Sequence, residues 1–384
     1  MLAFFGGKAP AAPPEPELHF AAPSASPYVL GLALVVVSQI VTVPLCVLAH
    51  KFRRTPAVLV AIGAVTVVAG LYLPPIVVDL AVERGMGTEI DCLLGRFCGA
   101  TVYAFVALRM FGAAVGATPK GADADVAIWI TFATGAVDIT FDKDGKPLKP
   151  PPGAIADRLK FFLLRLAGLS LVSSLSEPYD GYPFHAALGG PAWGTPLGAL
   201  AGYLDHVWIQ LMLIWLFLSM TVDVGCLMLE AQGFAPIAVF DNPVFTSTSA
   251  RIFWGKKWNL QVTTSFKRCV FVPLAKLQLP NAVAAFLTFF ASGLFHEYQF
   301  VLSFPTYPLG RISQFFVLHG LLCAADAMFS KAVGKKYLAN VPFALKAFSI
   351  PLLYSPTVPM FAQCWIQAGF FTLISKMGVF VSYK

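Results

Sequence analysis

The sequence predicts an all-α protein, a polytopic bundle of about eight transmembrane helices. Three observations carry that expectation. First, 57% of the 384 residues are hydrophobic and 12% are charged, with a mean hydropathy of +0.72. Soluble domains carry about 25% charged residues, so this chain has too little polar surface to cover a globule of its size in water. Second, apolar stretches approaching the ~20 residues needed to cross a bilayer recur along the chain. Third, the basic residues gather in alternate loops between those stretches.

Taken in order, residues 1–27 are rich in Pro and Ala and lack the basic start and long apolar run of a signal peptide. They read as a flexible N-terminal tail, with 28–384 as one membrane-embedded domain. Apolar stretches follow at roughly 28–49, 57–73, 97–117, 159–175, 203–229, 282–304, 312–330 and 357–380. The second and fourth are short for a span. The last region, from Val341 onward, carries Pro351, Pro356 and Pro359 and reads as one span or two. Span interiors must be helical, because lipid offers no partner to a backbone N–H or C=O.

Charge placement tests this order. Of 27 Lys and Arg, 20 fall after the first, third, fifth and seventh stretches, and none lies between 166 and 250. The positive-inside rule then places those loops in the cytosol and the N-terminus on the lumenal side. The loop 138–158 carries DKDG and PPPG turn chemistry and reads as a connector with a small hairpin. It lacks the ligand ladder and final Glu of a calcium loop. The seven cysteines show neither a CxxC pair nor a metal spacing, so the sequence predicts no disulfide framework and no metal site.

Two stretches carry candidate chemistry. The loop 251–276 interleaves Arg251, Lys256, Lys257, Lys267, Arg268 and Lys276 with Phe253, Trp254, Trp258, Phe266 and Phe271. An ordinary cytosolic membrane interface has that composition. So does a site in which cations hold a phosphorylated cytosolic substrate. A basic balance that arises from inside-loop bias gives no reason to expect nucleic acid. The second stretch places His296-Glu297 some fifteen residues into an apolar run. An ionisable pair at that depth packs against a neighbouring helix or faces a cavity. Ser292 and Gly293 precede it and allow close approach. A second histidine, His319, lies in FFVLHGLLCAADAMF with Asp326 two turns on. Two histidine-bearing apolar helices joined by a short loop favour a polar cavity, and a neutral imidazole there can take a proton from a hydroxyl.

Asp241-Asn242-Pro243, the FWGKKWN block from Phe253 to Asn259, and Ser292-Gly293 followed by His296-Glu297 together resemble the plant-type wax synthase branch of the membrane-bound O-acyltransferase family. The FFVLHG segment at 315–320 resembles the stretch that follows the family histidine. The likeness covers roughly 236–330, and the first 200 residues share only a string of apolar spans. Where many relatives carry acidic residues before the FW pair, this chain has Ala250, Arg251 and Ile252.

The resemblance implies a buried reaction chamber in an endoplasmic reticulum membrane protein. It implies an acyl-CoA-dependent transfer to a long-chain fatty alcohol, with His296 as general base and Asn259 as hydrogen-bond donor. Acyl-CoA is a co-substrate, and no further cofactor is implied. Lys256, Lys257, Lys267 and Arg268 would meet its phosphates, while Trp254, Trp258, Ser292, Glu297 and His319 would line the substrate path. The residues leave other readings open. These are a sterol, diacylglycerol or other alcohol as acceptor, a transporter using His296, Glu297 and Asp326 as a proton relay, or a lipid-binding scaffold.

Overall fold

The computed structural model describes residues 18–176, 196–304, 307–333, 342–343, 345, 357–378 and 380–383. After strand β1 (Leu18–Ala21) come α1 (Ser26–Lys51), α2 (Pro56–Glu83), α3 (Glu89–Ala114), α4 (Val126–Thr134), α5 (Ala154–Ser176) and α6 (Pro196–Ala231). A connector of short helical segments runs from Pro243 to Lys276. Then follow α7 (Asn281–Ser303), α8 (Arg311–Val333), α9 (Val358–Gln367), α10 (Phe370–Met377) and strand β2 (Phe380–Tyr383). The chain is a polytopic α-helical membrane protein.

Local chemistry sets the helix boundaries. Pro27 and Pro56 open the first turns of α1 and α2, where a missing N–H costs nothing. Thr88 and Asp91 form a reciprocal capping box at the start of α3. Among the described residues, five helical segments are long and apolar enough to cross a bilayer: Ser26–Lys51, Pro56–Glu83, Glu89–Ala114, Gln210–Ala231 and Arg311–Val333. The central post is α3, which packs on α1, α2, α4 and α7. By contrast, α1 and α2 turn Leu32, Ile40, Val65 and Tyr72 outward, as lipid-facing helices do.

The predicted stretches at 159–175 and 282–304 are helices, α5 and α7, and neither is among the five segments above. The last predicted stretch, read as one span or two, holds two helices. It breaks between α9 and α10 at Gly369, whose φ of +85° suits a residue without Cβ. The basic aromatic segment 251–276 is helical rather than a loop. Its short α-turns alternate with π-helical turns at Phe253–Lys257 and Lys267–Phe271. Finally, β1 pairs antiparallel with β2, Leu18 opposite Tyr383, so the end of the predicted tail is joined to the C-terminal segment. Lys8, Lys335, Lys336 and Lys346 lie outside the described residues.

The connector at 138–158 does fold back. Phe141 pairs with Pro147, and the Asp142 carboxylate accepts the N–H groups of Asp144 (2.8 Å) and Lys146 (2.9 Å). Gly145 turns with φ +87°.

Buried charges hold the layers together. Asp138 accepts from Arg109 of α3 at 2.7 Å, from Arg268 of the connector at 2.6 Å and from the Gln261 amide at 2.7 Å. Its own N–H donates to Gln261 Oε1 at 2.7 Å. Burial alone would raise the Asp138 carboxyl, but Arg109, Arg268 and Gln261 together hold it below the ordinary carboxylate range. A second cluster joins α5 to α6: Arg158 meets Asp223 at 3.5 Å and Glu230 at 3.1 Å, and Arg165 also meets Asp223.

Asp138→Asn leaves two guanidinium groups without their counter-charge. It should cost about 3–5 kcal/mol, read as a lower thermal midpoint in detergent. The folded carboxyl titrates below its unfolded value of about 3.9. Its stabilisation is therefore complete above that pH and declines as pH falls through the lower folded value. Wild type should lose midpoint below about pH 4, with a smaller loss in the variant.

Candidate active site

A cavity of about 1170 Å³ lies between α3, α7, α8 and the connector, with α6 and α9 completing the wall. It is larger than the roughly 300–1,000 Å³ of common small-molecule sites. One stripe of α7 runs along it: Asn281, Ala285, Phe289, Ser292, His296 and Gln299. Those spacings of three and four residues keep one face of a helix in line. From Asn281 to His296 is about 22 Å along the axis.

His296 Nδ1 lies 2.7 Å from the Ser292 carbonyl oxygen, one turn earlier. A carbonyl can only accept, so Nδ1 carries the hydrogen and Nε2 carries the lone pair. No described residue hydrogen-bonds Nε2. The ring stacks on Phe316 of α8 at 4.4 Å and meets Phe295 edge-on at 5.2 Å. Ser292 Oγ, itself buried, stands 3.4 Å from Nδ1.

The other predicted catalytic residue reaches the same cavity. Asn259 has φ +40°, a left-handed conformation that Asn tolerates better than most side chains. Its Oδ1 caps the helix Leu260–Phe266 by accepting the Val262 N–H at 3.4 Å. The side-chain NH₂ remains as a donor. Trp258 beside it stacks on Phe253 at 5.3 Å, and Trp254 meets His319 at 5.1 Å. Both indoles line the cavity.

His319 repeats the pattern of His296. Its Nδ1 donates to the Phe315 carbonyl at 2.8 Å. Here, however, Nε2 faces the Thr357 hydroxyl at 3.3 Å. His319 is buried and lines the cavity, but its second nitrogen is already engaged.

Glu297 was predicted among the substrate-binding residues, and its hydrogen bonds lie elsewhere. It is absent from the cavity wall and turns toward the start of α8. There its carboxylate accepts the Gly310 N–H, the Ser313 N–H at 2.9 Å and the Ser313 hydroxyl at 2.9 Å. It satisfies N–H groups that an unassisted helix start leaves without partners. Successive helix residues point about 100° apart, which sends His296 and Glu297 to different neighbours.

The four predicted cations do not act as a set. Lys267 lines the cavity and is exposed. Arg268 is bound to Asp138, and Lys257 pairs with Asp241 at 2.8 Å. Lys256 faces a separate hollow beside Arg268, Asp138 and Phe141. The sequence reading missed two other cations at the cavity's basic end, Arg251 and Lys331. Arg251 pairs with Asp326 at 3.0 Å. Lys331 was legible as the last member of an α8 stripe, with His319, Gly320, Cys323, Ala324, Ala327 and Met328, that follows the helical period.

The fold and site thus define a class: a polytopic helical membrane protein with a histidine-bearing chamber inside the bundle. Residues 237–318, which include the connector, all of α7 and the start of α8, match the membrane bound O-acyl transferase family. The match falls on the stretch whose motifs carry the resemblance. Within it and around it the chain is 30% identical over 128 residues to probable long-chain-alcohol O-fatty-acyltransferase 7 of Arabidopsis thaliana, covering 32% of this chain and 35% of the relative. It is 33% identical over 137 residues to probable long-chain-alcohol O-fatty-acyltransferase 2 of the same plant, covering 34% and 38%. It is 32% identical over 102 residues to the long-chain-alcohol O-fatty-acyltransferase of Simmondsia chinensis, covering 25% and 29%. The matches span between 29% and 38% of these relatives' lengths.

Glu297→Ala removes the cap of α8. It should lower the thermal midpoint in detergent, by about 1–2 kcal/mol of stability, while Glu297→Gln loses less. Product formed per folded molecule should stay near wild type in both. A selective loss of turnover with an unchanged midpoint would return Glu297 to the site.

Proposed function

We propose that this protein is an acyl-CoA-dependent O-acyltransferase that joins a fatty acyl group to a long-chain alcohol. The observation that carries the proposal is the lone pair of His296 Nε2, unpartnered among the described residues, at an apolar chamber that Asn259 also lines. The family match and the relatives' names support the same reaction class.

Acyl-CoA enters from the basic side, its phosphates near Lys267 and Lys331 and its thioester beside Asn259. The alcohol binds with its hydroxyl at His296 Nε2. His296 removes that proton as the oxygen attacks the thioester carbonyl. The Asn259 NH₂ donates to the oxygen on which charge develops. The C–S bond then breaks, and the thiolate takes the proton held by His296. The products are the ester and free CoA. Transfer is direct, so no Ser or Cys nucleophile is needed. The apolar wall keeps water from the thioester, which protects it from hydrolysis.

The basic loops lie in the cytosol and the first helix starts on the lumenal side, in an endoplasmic reticulum membrane. A proton-relay transporter is the weaker reading. It needs a file of titratable groups, whereas Glu297 caps a helix and Asp326 is paired with Arg251.

His296→Ala should lower ester formation from acyl-CoA and a long-chain alcohol by about 10²–10⁴-fold. Asn259→Ala should lower it by about 10²–10³-fold. Both are measured in microsomes at matched protein level. Undiminished ester formation by His296→Ala would sink the mechanism.

A further inference from the structure

One turn past His296, on the same face of α7, Gln299 reaches the chamber wall. The residue is 7% exposed, which is unusual for a glutamine side chain in an apolar bundle. Its Nε2 donates to the Thr101 hydroxyl oxygen of α3 at 2.7 Å. The Thr101 hydroxyl hydrogen is engaged elsewhere, donating to the Phe97 carbonyl at 2.8 Å. Thr101 can therefore only accept from Gln299, and the amide must present its nitrogen there. This leaves Gln299 Oε1 as the free end. It has no hydrogen-bond partner among the described residues, and it is not among the side-chain atoms closed off from the cavity. Thr101 lines the same wall.

An acceptor open to the chamber gains a hydrogen bond from a substrate that supplies the matching donor, and none from a substrate that lacks it. The donor must lie close to the reacting hydroxyl, because side chains three residues apart on a helix stand about 5–6 Å apart. A simple fatty alcohol has one hydroxyl, which His296 takes. A vicinal diol has a second hydroxyl on the neighbouring carbon, within reach of Gln299 Oε1. We infer that the chamber selects acceptors bearing a second hydroxyl beside the reacting one, and that Gln299, oriented by Thr101, is the residue that reads it. The inference rests on the acyl-transfer reading and narrows its acceptor class. The reaction stays a single acyl transfer: one hydroxyl loses its proton to His296 and forms the ester, and the other donates to Gln299 and is unchanged.

The test compares hexadecanol with the corresponding vicinal diol, each with palmitoyl-CoA, in membranes holding the full chain. The readout is the ratio of kcat/KM for the diol to that for the monohydric alcohol within each protein. Wild type should favour the diol by about fivefold or more. Gln299→Met, which keeps the volume and removes the acceptor, should bring the ratio to near one. Thr101→Val, which frees the amide to rotate, should give an intermediate ratio, and it decides the matter if Gln299→Met does not accumulate. A wild-type ratio at or below one, or a ratio that neither variant lowers, overturns the inference while leaving acyl transfer intact. Ester from neither alcohol overturns both.

Discussion

The hairpin of α7 and α8 depends on the Glu297 carboxylate. It leaves the side of α7 and closes three donors at the start of α8. Small residues let the two helices approach once joined. A Cβ on Gly293 would sit 3.2 Å from Phe316 Cβ and from Ser313 Cα, and one on Gly320 would sit 3.0 Å from Phe289 Cβ. That approach places Phe316 against the His296 ring and brings His319 into the same wall. Each histidine is also tied to its own helix through Nδ1. The imidazole planes and tautomers are thus fixed by backbone carbonyls, which cannot titrate.

Around this hairpin, most charge inside the bundle is paired. The Asp138 clamp joins α3 to the connector, the Arg158, Arg165, Asp223 and Glu230 cluster joins α5 to α6, and Asp91 meets Lys376 at 2.8 Å. Breaking such a pair strands a charge at low dielectric. The clamp also fixes Arg268 and Gln261, so the connector that carries Trp254, Trp258 and Asn259 is held against α3. Polar groups turned to the chamber therefore stand out: the lone pair of His296, the NH₂ of Asn259 and Oε1 of Gln299. These are the groups through which the chamber can act on a substrate.

Much of this was legible in the sequence, because lipid leaves backbone few options and hydropathy marks where helices run. His296 and Asn259, predicted together, do line one cavity. The connector was not legible, since segments of three to seven residues with π-helical turns are too short for periodicity to declare themselves. The hydrogen bonds of Glu297 to the start of α8 were not legible, because helical rotation points it away from its neighbour His296. Arg268 was misassigned because its partner, Asp138, lies 130 positions away. Gln299 could have been found as the next step of the 285, 289, 292, 296 stripe, but its free oxygen depends on Thr101 of another helix.

The central claim is that the thioester of an acyl-CoA rests between Asn259 and His296. A structure of the protein with an unreactive acyl-CoA thioether tests it most directly. The account predicts an acyl chain inside the chamber, the CoA phosphates at Lys267 and Lys331, and the sulfur and its neighbouring carbon within contact of Asn259 and His296 Nε2. An analogue held elsewhere on the protein, with the chamber lacking the acyl chain, would contradict it.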